Sequence, residues 1–308
     1  MESIDIKQLS NDNILELFQV LTSTSPEQEK IKKAEIIIEK YINIPESLDG
    51  CLYQLKTNTD TNIRHFSTLI LYKSVDHNWN KAAESKKEEI KKEVFELYSK
   101  EKNYQILKGI GYVIFKISKR TLLENKWDNL LEMVFSSPEK YSQGQEHLFE
   151  INLHIIADLV GSVTTLLQDK NKINQIKNLL QTAFCKGNNK MKENATECLG
   201  YLIQNLDIDN FGIFKDLADF LFKDLKSCDE KVILKVYETL CDCNLEILNF
   251  FNDLKYPTEL TIALLNNDDY KDNLKAIMTE FLHMVAKHKK KIFTQNDCKL
   301  LKEILTES

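Results

Sequence analysis

IRHFSTLIL, residues 63–71, stacks in register with ILKGIGYVI (106–114), LFEINLHII (148–156), MKENATECL (191–199), VILKVYETL (232–240) and LKAIMTEFL (274–282). The first positions, Ile63, Ile106, Leu148, Met191, Val232 and Leu274, are separated by 43, 42, 43, 41 and 42 residues. Four residues on comes a second position, and eight residues on comes another apolar one, Leu71, Ile114, Ile156, Leu199, Leu240 and Leu282. Spacings of four and eight keep side chains on one face of an α-helix. A period near forty-two with helical spacing inside each unit predicts stacked helix pairs of the HEAT or armadillo kind. The expected fold is all-α, a HEAT-repeat α-α superhelix of about seven helix pairs plus a final unpaired helix. Arrays of this sort bind other molecules along extended surfaces far more often than they catalyse reactions.

Composition agrees with that reading. A 308-residue chain would ordinarily suggest about two domains, but a solenoid grows without closing a core, so one elongated array spanning 1–308 is expected. Hydrophobic residues make up 43% of the chain, enough for a continuous core, whereas 8 Gly and 4 Pro leave little material for the turns of a β-rich fold. The net charge is -6, with Lys and Glu interspersed along the sequence, which argues against a basic stripe for nucleic acid and favours a basic protein partner. The odd count of seven widely spaced cysteines, with no secretory leader, predicts reduced thiols in an intracellular protein. No apolar run approaches the roughly 18 residues needed to cross a bilayer, so no membrane contact is expected.

Each unit reads as an amphipathic helix A, a short polar link and a returning helix B. The units fall at about 12–42, 46–77, 85–119, 126–167, 172–205, 211–250, 258–289 and 294–305. Pro26 stands where the first B helix begins, a position that tolerates its missing N–H. Pro45 opens the second A helix and Asp60 is a cap for the second B helix. Helix 4B is expected over 143–167 and helix 6B over 230–250. Gly109 and Gly111 interrupt the third B helix at a cost of about 1 kcal/mol each relative to Ala. Such a pair predicts close approach of a neighbouring helix, since a lone Gly-x-Gly with no preceding strand is not a phosphate loop. The stretch 294–305 resembles an A helix lacking its partner, so the register is expected to continue beyond the chain.

Catalytic signatures are missing from the sequence. His65, His77, His147, His154, His283 and His288 are scattered along the chain, and none has a second histidine or a cysteine at the four-residue spacing of one helical face. Cys241 and Cys243 stand two apart on one helix and point in different directions, the pattern of core packing rather than of a zinc or redox site. Acidic pairs such as Glu88 with Glu89 read as solvated faces. No nucleophile elbow, Walker loop or kinase set appears. The run Lys287 to Lys291 reads as positive charge complementing the C-terminal end of helix 7B. The chain is therefore expected to be no enzyme and to need no metal or cofactor.

Beyond these physical readings, residues 60–79, DTNIRHFSTLILYKSVDHNW, resemble the signature stretch of the importin-β superfamily of nuclear transport receptors. The matching residues are Ile63, Arg64, Phe66, Leu69, Leu71, Lys73 and Trp79; His65, Ser67 and Thr68 depart from the usual Gln, Ala and Ala. The preceding PEQEKIKKAEIIIEKY, with Ala34 as its small residue, is similar to the family's first B helix, and Trp127 opens unit four in the family's manner, with Asp128 where Pro is usual. The order of elements resembles the N-terminal third of the importin 4 and importin 5 subgroup. The resemblance implies Ran-GTP as a partner on the first repeats, Phe-Gly nucleoporins on outer A helices, and a receptor shuttling between cytoplasm and nucleus. It also implies a basic protein cargo such as core histones or ribosomal proteins. Arg64 and Lys73, with Thr68 behind them, are the residues it offers for Ran, although Arg64 reads equally well as a brace to a neighbouring repeat. The alternative is a HEAT-repeat scaffold or adaptor that holds other proteins without Ran.

Overall fold

A computed structural model describes residues 6–24, 27–121, 127–135, 146–162, 164–206, 212–223, 225–243, 251, 253–267, 269–289 and 292–293. All regular structure among them is helical. The helices are α1 (Asn11–Thr22), α2 (Gln28–Tyr41), α3 (Glu46–Thr57), α4 (Thr61–Asn78), α5 (Glu84–Lys100), α6 (Tyr104–Thr121), α7 (Asp128–Val134) and α8 (Glu146–Ser162). They continue with α9 (Lys170–Lys186), α10 (Asn189–Asn205), α11 (Lys215–Lys223), α12 (Glu230–Asp242), α13 (Lys255–Leu265) and α14 (Asp272–His288).

The three inward positions of the register explain why these helices pack. All eighteen residues they comprise, from Ile63, Ser67 and Leu71 to Leu274, Met278 and Leu282, are buried, none exposing more than 8% of its surface. Burying a side chain of leucine size contributes roughly 1.5–3 kcal/mol, so the apolar members of this seam contribute substantially to stability. The helix ends follow from local chemistry. The Asp60 carboxylate accepts from the N–H groups of Asn62 (2.7 Å) and Ile63 (3.3 Å), starting α4 as expected. Asp169 and Asn188 cap α9 and α10 in the same way.

The chain forms two units, residues 1–133 and 134–308. In the first, α3 lies on α4 and α5 on α6; α3 then packs against α5 in one layer and α4 against α6 in the other, with α1 seated against both α3 and α4. In the second, α8, α10, α12 and α14 pack in sequence, while α9 lies on α10 and against α11, and α13 lies on α14. A layer of A helices over a layer of B helices is the HEAT-repeat arrangement.

Some boundaries differ from expectation. Helix 4B stops at Ser162 and gives way to a 3-10 turn over Thr164–Gln168 instead of running to residue 167. Leu166 and Leu167 are nonetheless buried, so the apolar pattern outlasts the helix. Helix 6A, expected over 211–226, is α11 and ends at Lys223, and a 3-10 turn follows at Leu225–Ser227. The gap expected between the second and third units, 78–84, holds a 3-10 turn at Trp79–Lys81 and the first residue of α5, Glu84. Pro26, residues 244–250 of the expected helix 6B and the final helix at 294–305 lie outside the described residues. No described helix is long and apolar enough to cross a membrane.

Cysteine packing matches the core reading. Cys51, Cys198 and Cys243 are buried, and the thiols of Cys241 and Cys243 face opposite neighbours: Cys241 Sγ reaches the Ile277 carbonyl on α14 and Cys243 Sγ the Gly200 carbonyl on α10, each at 3.7 Å. The residues two apart on α12 thus join the helices on either side of it.

Candidate protein-binding face

α4 carries the three residues singled out for partner binding, and the structure separates them. Arg64 and Lys73 stand nine residues apart, about 900° of helical rotation, which places them on opposite sides of α4. Arg64 turns into the molecule. Its Nε donates to the Leu55 carbonyl at 3.0 Å, satisfying the last turn of α3, and its guanidinium pairs with the Glu101 carboxylate at the start of the α5–α6 link. The Arg64 side chain is 22% exposed and that of Glu101 only 7%. Glu101 is itself fixed by the N–H groups of Lys102 (2.9 Å) and Asn103 (2.8 Å). Arg64 therefore ties three helices together.

Thr68 is wholly buried, and the expectation that it touches a partner is corrected here. Its hydroxyl donates to the His65 carbonyl at 2.7 Å, and its side chain fills the space over Gly109 of α6. A Cβ on Gly109 would lie 2.0 Å from Thr68 Oγ1 and 2.7 Å from Thr68 Cβ. This is the close approach predicted from the Gly-x-Gly. Trp79 is likewise buried, beside Asn78, whose amide donates to the Ile42 carbonyl at 2.7 Å and so finishes α2. Those signature residues build the repeat.

Lys73 alone of the three is solvent-exposed. It shares an outward row with Leu69, which is 42% exposed, and the row continues on α6 at the 43-residue step as Tyr112 and Lys116. Lys116 Nζ stands 4.8 Å from the Tyr72 ring centre and 3.0 Å from Asp76; Arg120 also reaches the Asp76 carboxylate, at 2.6 Å, and its carbonyl at 3.0 Å. Lys108 Nζ lies 5.8 Å from the Tyr112 ring centre. Hydrogen bonding from Lys116, opposed by partial burial and reinforced by Arg120, holds the Asp76 carboxyl below the usual range. Sequence reading missed Tyr72, Asp76, Lys108, Lys116 and Arg120, yet the same period carries the signal, since Lys73 to Lys116 and His77 to Arg120 are also 43-residue steps.

The corresponding row in the second unit has the opposite charge. It runs His154 and Asp158 on α8, Glu197 and Tyr201 on α10, Glu238 and Asp242 on α12, and Glu280 on α14. Burial first, and then the carboxylates of Glu197, Asp158 and Asp242, push the Tyr201 hydroxyl up, so these groups lie close to it. Lys235 reaches Glu197 at 3.5 Å. Charges that are interspersed along the sequence are thus segregated along the B-helix rows, which corrects the picture drawn from composition. His154 faces Asp158 at 3.8 Å, and no group of three metal-ligating side chains occurs among the described residues.

Comparison with known proteins agrees with this architecture. Residues 34–100, from the middle of α2 to the end of α5, match the family model of the importin-beta N-terminal domain. A search of curated proteins by sequence finds no match. Among solved structures, the chain is similar to Kap121p (TM-score 0.75, 16% identity), to Kap121p bound to RanGTP (TM-score 0.72, 16% identity) and to Kap121p bound to Nup53p (TM-score 0.74, 16% identity). In each case the likeness covers 96% of this chain and 28% of the Kap121p chain. The chain thus spans just over a quarter of the length of these structures, and at this identity the likeness establishes the HEAT-repeat fold.

Proposed function

We propose that the chain is part of a karyopherin-type nuclear import receptor of the importin-β superfamily, a carrier rather than an enzyme. It binds Ran-GTP through its first repeats and carries basic protein cargo between cytoplasm and nucleus, passing the pore on Phe-Gly nucleoporins. The observation that carries this reading is the importin-beta N-terminal domain match over residues 34–100, which includes α4, the helix that holds Lys73. Solved complexes of Kap121p with RanGTP and with Nup53p support the partner classes. The finer assignment is to the importin 4 and importin 5 subgroup, with the two units as consecutive stretches of one array.

Within this reading Lys73 meets the GTPase directly. Arg64 acts through the brace it makes to Leu55 and Glu101, and Thr68 through the close approach of α4 and α6. The carboxylate row of the second unit supports a basic cargo, such as core histones or ribosomal proteins, because complementary charge steers encounter and rejects wrong partners. Where Ran and cargo exclude one another on a receptor, each weakens the other's affinity by the same factor. GTP-bound Ran in the nucleus then discharges cargo.

A pull-down with Ran locked in its GTP form tests the proposal. Retention of Ran-GTP over Ran-GDP is the expected result. Equal and negligible retention of both, by this chain and by a longer one, refutes the receptor reading and leaves the scaffold. Charge reversal Lys73→Glu should weaken Ran-GTP binding without altering the helical content seen by circular dichroism.

A further inference from the structure

The outward stretches of α4 and α6 are unlike the rest of an acidic chain. Residues 65–77 and 108–120 contain Lys73, Lys108, Lys116, Lys119 and Arg120 against a single carboxylate, Asp76. That carboxylate is already engaged by Lys116 at 3.0 Å and Arg120 at 2.6 Å. Between the cations stands Leu69, 42% exposed, an apolar side chain large enough to anchor a contact. Tyr72 and Tyr112 lie beneath Lys116 and Lys108, which holds these two ammonium groups in place over ring faces.

We propose that the α4–α6 face receives an acidic protein segment bearing an apolar side chain for Leu69, and that Asp76 is its built-in competitor for Lys116 and Arg120. The inference deepens the receptor reading by naming the chemistry of whatever docks on this row. It rests on geometry that stands whether or not Ran is the occupant. Charge complementarity selects an acidic partner and repels a basic one. A protein fits better than a nucleic acid for two reasons. The tyrosine rings that would stack on bases are occupied by lysines, and the exposed Leu69 suits an apolar side chain rather than a sugar-phosphate strand.

The competitor role follows from the pairing. Lys116 and Arg120 come from α6 and Asp76 from α4, so their contacts join two neighbouring B helices at the surface. An incoming carboxylate must share or replace Asp76. Loss of that internal counter-ion leaves two cations in want of a partner, so Asp76→Asn should strengthen the binding of an acidic segment. A surface whose only role was to hold α4 against α6 would show no such gain.

The test uses the whole 308-residue chain and a short fluorescent peptide alternating glutamate and leucine, read by polarisation. A lysine-leucine peptide and an oligothymidylate of similar length serve as the other arms. The acidic peptide should bind, more weakly as salt is raised, and the basic peptide should not. Lys73→Glu with Lys119→Glu, both at exposed positions, should lower the acidic peptide's affinity about tenfold, equivalent to roughly 1.4 kcal/mol. Asp76→Asn should raise it about two- to fivefold. Unchanged affinity in the double reversal, or oligothymidylate binding tighter than the acidic peptide, overturns the proposed surface. Unchanged or weaker binding by Asp76→Asn overturns the competitor role. Failure to bind Ran-GTP while the acidic peptide binds counts against the receptor reading alone; the converse counts against this inference alone.

Discussion

Replacing Arg64 with alanine separates a structural brace from a direct contact. The substitution removes the charge pair with Glu101 and the Nε donation to the Leu55 carbonyl. Breaking a buried pair by deleting one partner costs roughly 3–5 kcal/mol when the remaining charge is stranded. Glu101 is not stranded, because the N–H groups of Lys102 and Asn103 still support it, and the Arg64 side chain is 22% exposed. These two facts bring the pair loss down to about 1–2 kcal/mol, and the lost bond to the Leu55 carbonyl adds about 1 kcal/mol. Arg64→Ala should therefore destabilise by about 2–3 kcal/mol. In a double-mutant cycle with Glu101→Gln, the coupling energy should be about 1–2 kcal/mol. The assay is urea unfolding followed by circular dichroism, with hydrogen exchange across α3, α4 and the α5–α6 link to localise the loss. A coupling energy below about 0.3 kcal/mol, the scatter of independent sites, would refute the brace. So would a loss of Ran-GTP affinity in a variant whose unfolding curve is unchanged.

Three other perturbations follow from single contacts. Gly109→Ala gains about 1 kcal/mol of helix propensity but sets a Cβ against Thr68, and overpacking costs about 1–3 kcal/mol; a net loss of up to about 2 kcal/mol is expected in urea unfolding, and a more stable variant would show that α4 and α6 do not meet there. Asn194 donates its amide to the Glu150 carbonyl at 3.0 Å between α10 and α8, so Asn194→Ala should cost about 1–2 kcal/mol and speed exchange of amides in both helices, with unchanged exchange excluding the contact. Burial, then Glu280, Asp242 and Cys243, push the Cys241 thiol from 9.0 up to about 12, so the native state keeps this proton where the unfolded chain releases it. Its contribution is present in full below pH 9.0 and is lost as pH rises toward about 12. Stability should fall less steeply above pH 9.0 in Cys241→Ser; parallel pH profiles would place the thiol in solvent.

What the sequence revealed about the fold and what it hid have a common physical origin. Inward positions of a B helix must be apolar or small to be buried, so Ile63, Ile106 and their equivalents declare themselves by period alone. The glycine that admits Thr68 was legible for the same reason, since only a missing side chain suits it. The end of α8 was not legible, because Leu166 and Leu167 stay buried after the backbone has changed to a 3-10 turn, and periodicity reports burial before it reports hydrogen bonding. Ser162, Val163, Thr164 and Thr165, four poor helix formers in a row, were the available warning. Arg64 was readable as a brace or a contact but not decidable, because its partner Glu101 lies 37 residues on, off the repeat spacing, and is found only once α5 has folded back.

Charge on the outward rows is the harder case and the more instructive one. Packing demands nothing of these positions, so no single Lys or Glu there departs from an ordinary solvated surface. Only the stacking that the inward rows enforce brings Lys73 beside Lys116, and Glu197 beside Asp158 and Asp242. A pattern with a forty-residue wavelength averages away in net charge and in any local window. It follows that the repeat does two separable jobs: its buried seam tolerates only volume-conserving change, while its outer row can switch sign between one unit and the next at little cost in stability. Exchanging Lys73 for Glu should accordingly alter which partners bind while leaving the unfolding midpoint nearly where it was, within about 0.5 kcal/mol. A large loss of stability in that variant would mean that the outward row is part of the core's own support, and the separation of packing from recognition would fail.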